Sequence, residues 1–472
     1  MSTEAPNGSA VAESHWRGRL AQLAANHRVP GAALGILQLR PGGGEQQVEA
    51  SYGVLSRATG VEVTTDSLFQ IGSITKVWTA TLAMQLVEQG KLDLDQPIVD
   101  ILPGMRLSDP EAQRLVTLRH ILTHTSGIDG DAFMDTGRGD DCLERFVARL
   151  GEVAQNFPVG ATWSYCNTGF SILGRIIEEV TGQVWDTVFR ERLVAPLGLT
   201  HVATLPEEAL LFRTAVGHVA KAGEEPQPTP LWCMERSGGP AGSITSMPVG
   251  DLLAFARMHL TGGRAADGSQ VLGEEATTLM QQHQADVPGR RHGNADSWGL
   301  GWMRFDWDGH DIFGHDGNTI GQSAFLRIQP SQGLAVALLT NGGNTRDLYA
   351  DLYREVFAEL GGLELPGAFA PPEPVPDVDL SPHAGRYEIA GTRAEVLVQE
   401  GEPMLRVTDT SIFADVEPEP VKDFVLHPVD ADLVAIREKG AATWEPVSFL
   451  SFPDGQPFLH LWGRSLPKVA PA

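Results

Sequence analysis

The sequence predicts a mixed α/β domain followed by a small all-β domain, and three observations carry that reading. Between Pro366 and Pro382 stand Pro371, Pro372, Pro374 and Pro376, a density that forbids helix and central strand and favours a stiff, extended linker. Before it, over residues 1–365, helix-like and strand-like segments mix. After it, over residues 383–472, short alternating runs separated by turn residues read as strands of a barrel or sandwich. A linker of this stiffness predicts two independent cores, so that a chain ended near Glu373 should fold alone.

In chain order, Met1–Glu13 is polar and lacks Lys and Arg. A secretory leader needs a basic start and an apolar stretch, so the expectation is a cytoplasmic protein. Gly42-Gly43-Gly44 reads as a hairpin tip, because no helix start with Lys-Ser or Lys-Thr follows to make it a phosphate loop. Val77 to Val87 is the densest apolar run, broken by Thr79, Thr81 and Gln85, and Gly90 stops it. It is too short to span a membrane and predicts a buried helix. Ile172, Leu173, Ile176, Ile177 and Val180, closed by Gly182, predict an amphipathic helix. Trp298 to Trp302 opens a strand-like pass that turns at Asp308-Gly309 and runs into His315-Asp316-Gly317. Beyond the linker, strands are expected at Ala394–Val398, Asp423–Leu426, Val447–Phe452 and, after Pro453-Asp454-Gly455, Phe458–Trp462.

Composition narrows the function. Lys and Arg total 35 against 60 Asp and Glu, a formal charge of −25, which disfavours nucleic acid and anionic membranes as partners. Three cysteines at wide spacing, Cys142, Cys166 and Cys233, suit neither a disulfide framework nor a zinc site. The chain has no G-x-S-x-G, H-E-x-x-H or G-x-G-x-x-G, which argues against an α/β-hydrolase, a zinc protease and a dinucleotide enzyme. No cofactor and no metal are expected.

Three short motifs remain. In Ser73-Ile74-Thr75-Lys76 the hydroxyl and the ammonium stand three residues apart and share one helix face. A lysine at the start of an apolar helix loses solvation, which lowers its pKa and lets it take a proton from serine. The plainer alternative is that Lys76 snorkels to solvent and Ser73 caps the helix. Ser465-Leu466-Pro467-Lys468 repeats the pattern but contains proline. In Tyr165-Cys166-Asn167 the alternation of an extended chain points Tyr165 and Asn167 to one side at a helix entrance. A phenol beside a lysine can relay a proton; alternatively Asn167 caps the helix and Tyr165 packs its ring. In His315-Asp316-Gly317 the glycine allows close backbone approach to a strand edge.

Taken in order, these motifs resemble the serine β-lactamase and penicillin-binding-protein family, particularly its class C and esterase branch. Leu68 to Lys76, Gly90 to Asp95, Leu118 to Gly127, Gly238 to Leu260, Gly314 to Phe325 and Leu338 to Asn341 extend the likeness, from about Trp16 to about Gly361. The resemblance implies an antiparallel sheet of five or more strands flanked by helices, with a mostly helical region inserted between its first and last strands. It implies Ser73 as acylated nucleophile, Lys76 as proton acceptor and Tyr165 as second acid/base. Asn167 and His315 would contact substrate, and the N–H groups of Ser73 and of Asn318, after Gly317, would form the oxyanion hole. The last domain resembles a lipocalin-like appendage.

Histidine replaces the lysine usual in the third motif, with Asp316 adding a like charge beside a substrate carboxylate. That departure and the missing export signal shift the expectation toward cleavage of small esters or amides. Transfer of the acyl group to an amine or alcohol, β-lactamase or D-peptidase activity, and a non-enzymatic binding module stand as alternatives. Phe133, Met134, Phe212 and Trp232 are candidate pocket walls, with core packing as the equal alternative.

Overall fold

A computed structural model describes residues 8–40, 42–221, 223–289, 295–399, 402–415 and 418–469. Helix α1 (Gly8–Asn26) leads into a hairpin of β1 (Gly31–Leu39) and β2 (Glu45–Gly53). Gly42, Gly43 and Gly44 all take positive φ at its tip, where side chains would be strained. The chain then leaves the sheet for a largely helical region that includes α2 (Thr75–Glu88), α3 (Asn167–Thr181) and α4 (Val249–Leu260). It returns as β3 (Ala285–Asp286), β4 (Ser297–Trp298), β5 (Met303–Trp307), β6 (His310–Thr319), β7 (Gln322–Gln329) and β8 (Leu334–Thr340), followed by α5 (Thr345–Val356). The eight strands lie in the order β2-β1-β8-β7-β6-β5-β4-β3 and pair antiparallel. The expected sheet with its helical insertion is therefore present.

The unbroken apolar run of β1 follows from cover on both faces. Leu34 and Ile36 pack with Trp16 and Leu20 of α1 and with Leu348 and Leu352 of α5. Ala33 and Leu37 face the other way, into the cluster that holds Leu252, Leu253 and Ala256 of α4. Each fully buried leucine or isoleucine contributes about 1.5–3 kcal/mol. An aspartate at Leu34, which pairs with Leu338 on β8, would bury a charge with no partner and break this layer.

Among the described residues the last domain has nine strands: β9 (Gly385–Ile389), β10 (Thr392–Gln399), β11 (Glu402–Asp409), β12 (Val421–Val425), β13 (His427–Pro428), β14 (Leu433–Ile436), β15 (Glu445–Ser451), β16 (Pro457–Leu461) and β17 (Arg464–Val469). Their order is β12-β11-β10-β9-β17-β16-β15-β14-β13. The two edge strands, β12 and β13, are consecutive in the chain, so the sheet curls round until its edges nearly meet. Tyr387, Leu405, Phe424, Val447, Leu459 and Leu466 fill the interior.

Residues 366–380 form no helix or strand, as the prolines require. Each domain keeps a core of its own, yet the linker does not hold the two apart. Phe157 of the first domain stacks on Phe452 at 5.3 Å, and Phe452 on Phe458 at 4.3 Å. Asp347 of α5 accepts from the Thr443 hydroxyl at 2.6 Å, and Asp129 from the Ala390 amide at 2.8 Å. The linker folds back, and each domain presents apolar and polar groups to the other.

Candidate active site

The site grows from the entrance of α2. A 3₁₀ turn, Gly72–Ile74, runs directly into the helix, whose residues Thr75 to Leu86 are all buried. Lys76, in the first turn, is 0% exposed, and its Nζ donates to Ser73 Oγ at 2.9 Å and to the Ala241 carbonyl at 2.6 Å. Neither turn uses Ser73 as a side-chain cap. Snorkelling and capping are thus both set aside. Burial holds the Lys76 amine well below the usual lysine range, and the nearby Arg464 charge lowers it further, because a cation in a low-dielectric interior is costly.

Tyr165 closes the other side. Lys76 Nζ lies 4.8 Å from the centre of its ring. The Tyr165 hydroxyl is buried with no hydrogen-bond partner among the described residues; burial pushes the phenol pKa up, and the neighbouring Ser73 hydroxyl offsets only part of that rise. The helix that follows, α3, is capped by Cys166, whose Sγ accepts from the Gly169 amide at 3.2 Å. Asn167 is therefore free of the capping role. Its Nδ2 donates to Asp131 Oδ1 at 2.7 Å, which leaves its carbonyl oxygen available to a substrate amide.

Behind Tyr165 stands an aromatic wall. His124, held at φ +58°, stacks on Tyr165 at 4.3 Å and accepts from the Cys166 amide through Nδ1 at 2.9 Å. That bond places the proton on Nε2. Trp298 meets Tyr165 edge-on at 5.9 Å and His315 at 5.6 Å.

The third motif lies on β6. His315 is 1% exposed, and its Nδ1–H donates to the Asp316 carbonyl at 2.6 Å. Burial, reinforced by Lys76, lowers its pKa to about 3, so the ring is neutral. The imidazole lies beside Tyr165, at 6.1 Å between ring centres, and its Nε2 is buried with no hydrogen-bond partner among the described residues. For Asp316 the structure corrects the expectation of a like charge beside the substrate. It turns beneath the sheet to accept from buried Arg327 at 2.6 Å, with Arg346 at 3.8 Å, so its charge does not face the cleft.

Two glycines bring the Ser73 turn against β6, and a third, Gly242, brings the turn after residues 236–241 against it. A Cβ on Gly317 would lie 1.9 Å from the Ile71 carbonyl and 3.0 Å from the Ser73 nitrogen. One on Gly72 would lie 2.6 Å from the Asn318 nitrogen, and one on Gly242 would lie 2.1 Å from the Gly72 carbonyl. Only backbone without side chains can approach so closely. The amides of Ser73 and Asn318 are thereby neighbours, the pairing an oxyanion hole needs.

Sequence reasoning missed Asp131 and Arg464. Arg464 follows the turn between β16 and β17 and grips Asp131 with both prongs, Nε to Oδ2 at 2.8 Å and Nη2 to Oδ1 at 2.9 Å. Asp131 lies two residues before the candidate wall residue Phe133, but nothing in the sequence ties it to a residue in the other domain. The decoy Ser465 is 0% exposed and donates to the Trp163 carbonyl at 3.0 Å; it is a brace between domains. Among the candidate wall residues, Met134, Phe212 and Trp232 pack into core clusters, and Phe133 meets Phe413 of the barrel at 5.4 Å. Among the described residues no helix is long and apolar enough to cross a membrane.

Residues 16–359 match the Beta-lactamase family. Penicillin-binding protein 4 of Amycolatopsis lactamdurans is 48% identical over 379 residues, spanning 80% of this chain and 98% of its own length. Esterase EstB of Burkholderia gladioli is 31% identical over 171 residues, 33% of this chain and 43% of the esterase. The crystal structure of SurE superposes with a TM-score of 0.76 at 30% identity and covers 98% of this chain and 100% of SurE, both domains included. A class C beta-lactamase from Rhodobacter sphaeroides shares the fold, with a TM-score of 0.57 at 22% identity over 75% of this chain and 99% of its own. With matched residues that take in both Ser73 and His315, this chain belongs to the Beta-lactamase family of serine hydrolases.

Proposed function

We propose that this chain is a serine acyl hydrolase that forms an acyl-enzyme on Ser73 and cleaves esters or small amides. One observation carries the reading: a fully buried Lys76 amine hydrogen-bonded to Ser73 Oγ at 2.9 Å. With its pKa depressed, the amine is a base near neutral pH. It takes the Ser73 proton as Oγ bonds to the substrate carbonyl carbon, while the Ser73 and Asn318 amides receive the oxyanion. Tyr165, beside both groups, gives its proton to the leaving alcohol or amine as the bond from that group to the carbonyl carbon breaks, and recovers a proton from the Lys76 ammonium. Asn167 aligns the acyl chain through its free carbonyl oxygen. Water then attacks the ester on Ser73 and regenerates the hydroxyl. EstB, as an esterase, supports hydrolysis of esters.

A second reading, transfer of the acyl group to an amine, draws on SurE: its crystal structure with D-Leu, at 30% identity and a TM-score of 0.73, favours a D-configured amino acid next to the bond that is made or broken. The test is intact-protein mass spectrometry after exposure to a panel of p-nitrophenyl esters and a penicillin, with and without D-Leu. A mass gain on Ser73 that is absent from Ser73→Ala is the expected result, and an acylated product containing D-Leu would favour transfer. No gain with any probe would overturn the acyl-enzyme.

A further inference from the structure

The turn between β16 and β17 is the strained point of the barrel. Leu461 pairs with Arg464, so Trp462 and Gly463 are the two loop residues. Both take positive φ, +49° and +75°, the type I′ geometry that glycine, asparagine and aspartate favour. A tryptophan there is a real outlier, and strain of this kind persists where surrounding contacts impose it. The contacts are with the other domain's site: the Gly463 carbonyl accepts from the Tyr165 amide at 2.8 Å, and a Cβ on Gly463 would meet the Trp163 ring at 3.5 Å. The next residue, Arg464, lays its guanidinium 4.7 Å from the centre of the Tyr165 ring. Asp131 fixes it there and, with the same Oδ1, holds Asn167.

We propose that Arg464, delivered by the barrel, is a positioning residue of the acylation site: through Asp131 it sets the Asn167 amide, and as a cation over Tyr165 it keeps the proton-transfer groups poised. The inference rests on the acyl-enzyme reading of Ser73. The groups that act on Lys76 are known from every side: Ser73 and Tyr165 in contact, Asp131 and the Cys166 thiol favouring its charge, Arg464 opposing it, and His124 and His315 as neutral rings. Asp316 also acts on Tyr165 but is neutralised by Arg327. Arg464 is the cation of this set other than Lys76 itself. Removing it leaves Asp131 to favour the ammonium form of Lys76, so the base becomes available only at higher pH.

The experiment measures kcat/KM against pH for a p-nitrophenyl ester in the full chain, together with Ser73 labelling by mass spectrometry, in native, Arg464→Gln and Arg464→Lys proteins. Arg464→Gln should lose tenfold or more and shift the rising limb upward by about half a pH unit or more. Arg464→Lys keeps the charge but not the two-pronged grip, so its limb should stay in place while turnover falls severalfold. If Arg464→Gln fails to fold, the Lys variant alone decides, since full native turnover in it would overturn the positioning role. A labelled native protein with an unmoved limb in folded Arg464→Gln would overturn this inference and leave the acyl-enzyme standing. A native protein that no probe labels would overturn both.

Discussion

Replacing Gly317 by alanine tests whether the backbone geometry around Ser73 makes the oxyanion hole. The new Cβ would stand 1.9 Å from the Ile71 carbonyl oxygen, where ordinary contact begins near 3.4 Å. The Ser73 turn and β6 must therefore separate by about 1.5 Å, since both atoms belong to backbone and neither can swing aside. Oxyanion donors work only within about 2.7–3.1 Å of the developing charge, so the Ser73 and Asn318 amides can no longer serve together. Losing one such donor costs about 2.7–4 kcal/mol, or roughly a hundred- to a thousandfold in kcat, with KM little changed. The assay is p-nitrophenyl acetate turnover with circular dichroism and Tm as controls. Gly60→Ala supplies the comparison, since Gly60 has φ +67° but nothing within 4 Å of a Cβ. That variant should lose about 1–2 kcal/mol of stability and no turnover. A folded Gly317→Ala enzyme within threefold of native kcat would refute the reasoning.

Three further outcomes are expected. His259 is fully buried and its pKa is lowered by burial to about 3; above pH 6.5 it is neutral folded or unfolded, and as pH falls below that only the unfolded chain takes the proton. Native protein should therefore lose about 2 kcal/mol more than His259→Gln between pH 7.5 and 5 in urea titrations, and equal losses would contradict the assignment. Deleting residues 374–472 should abolish ester turnover and promote aggregation, because it bares Phe157 and removes Arg464 and the Gly463 carbonyl; an active, monodisperse truncation by light scattering and assay would show the barrel to be dispensable. Nitrocefin turnover at pH 7.5 should stay below that of a short-chain p-nitrophenyl ester by ten- to a hundredfold, since neutral His315 withholds a charge-assisted bond worth about 1.5–3 kcal/mol; faster nitrocefin hydrolysis would count against it.

What could be read from the chain alone divides along sequence distance. Ser73 and Lys76 share a helix turn, and Tyr165 and Asn167 share one face of an extended entrance, so local periodicity brings each pair together before any tertiary contact is known. The apolar run after Lys76 foretold its burial. Cys166 as the cap of α3 was not legible, because a thiol competes poorly for that role and Asn167 stands beside it. The direction of Asp316 depended on Arg327, which faces it only once β6 and β7 pair. Asp131 and Arg464 are 333 positions apart, and no pattern of charge or period links them. The same holds for the packing of the two domains: proline density marks a linker, but whether the chain beyond it folds back depends on surfaces such as Phe157 and Phe452 that sequence presents only as isolated apolar residues.

The pairing of β1 with β8 carries a consequence for synthesis. These neighbours are joined residue to residue as Ala32 with Thr340 and Gln38 with Leu334, so β1 waits for a partner some 300 residues behind it. At about 5–20 residues per second that interval lasts roughly 15–60 s. Meanwhile the apolar Gly31–Leu37 stretch has α1 and β2 for cover, and its other face waits for α4. Ser73 and Lys76 emerge about 390 residues ahead of Gly463 and Arg464, so a nascent chain carries its nucleophile long before the surface that frames it. Through that interval the edge of β1 that will pair with β8 stays open.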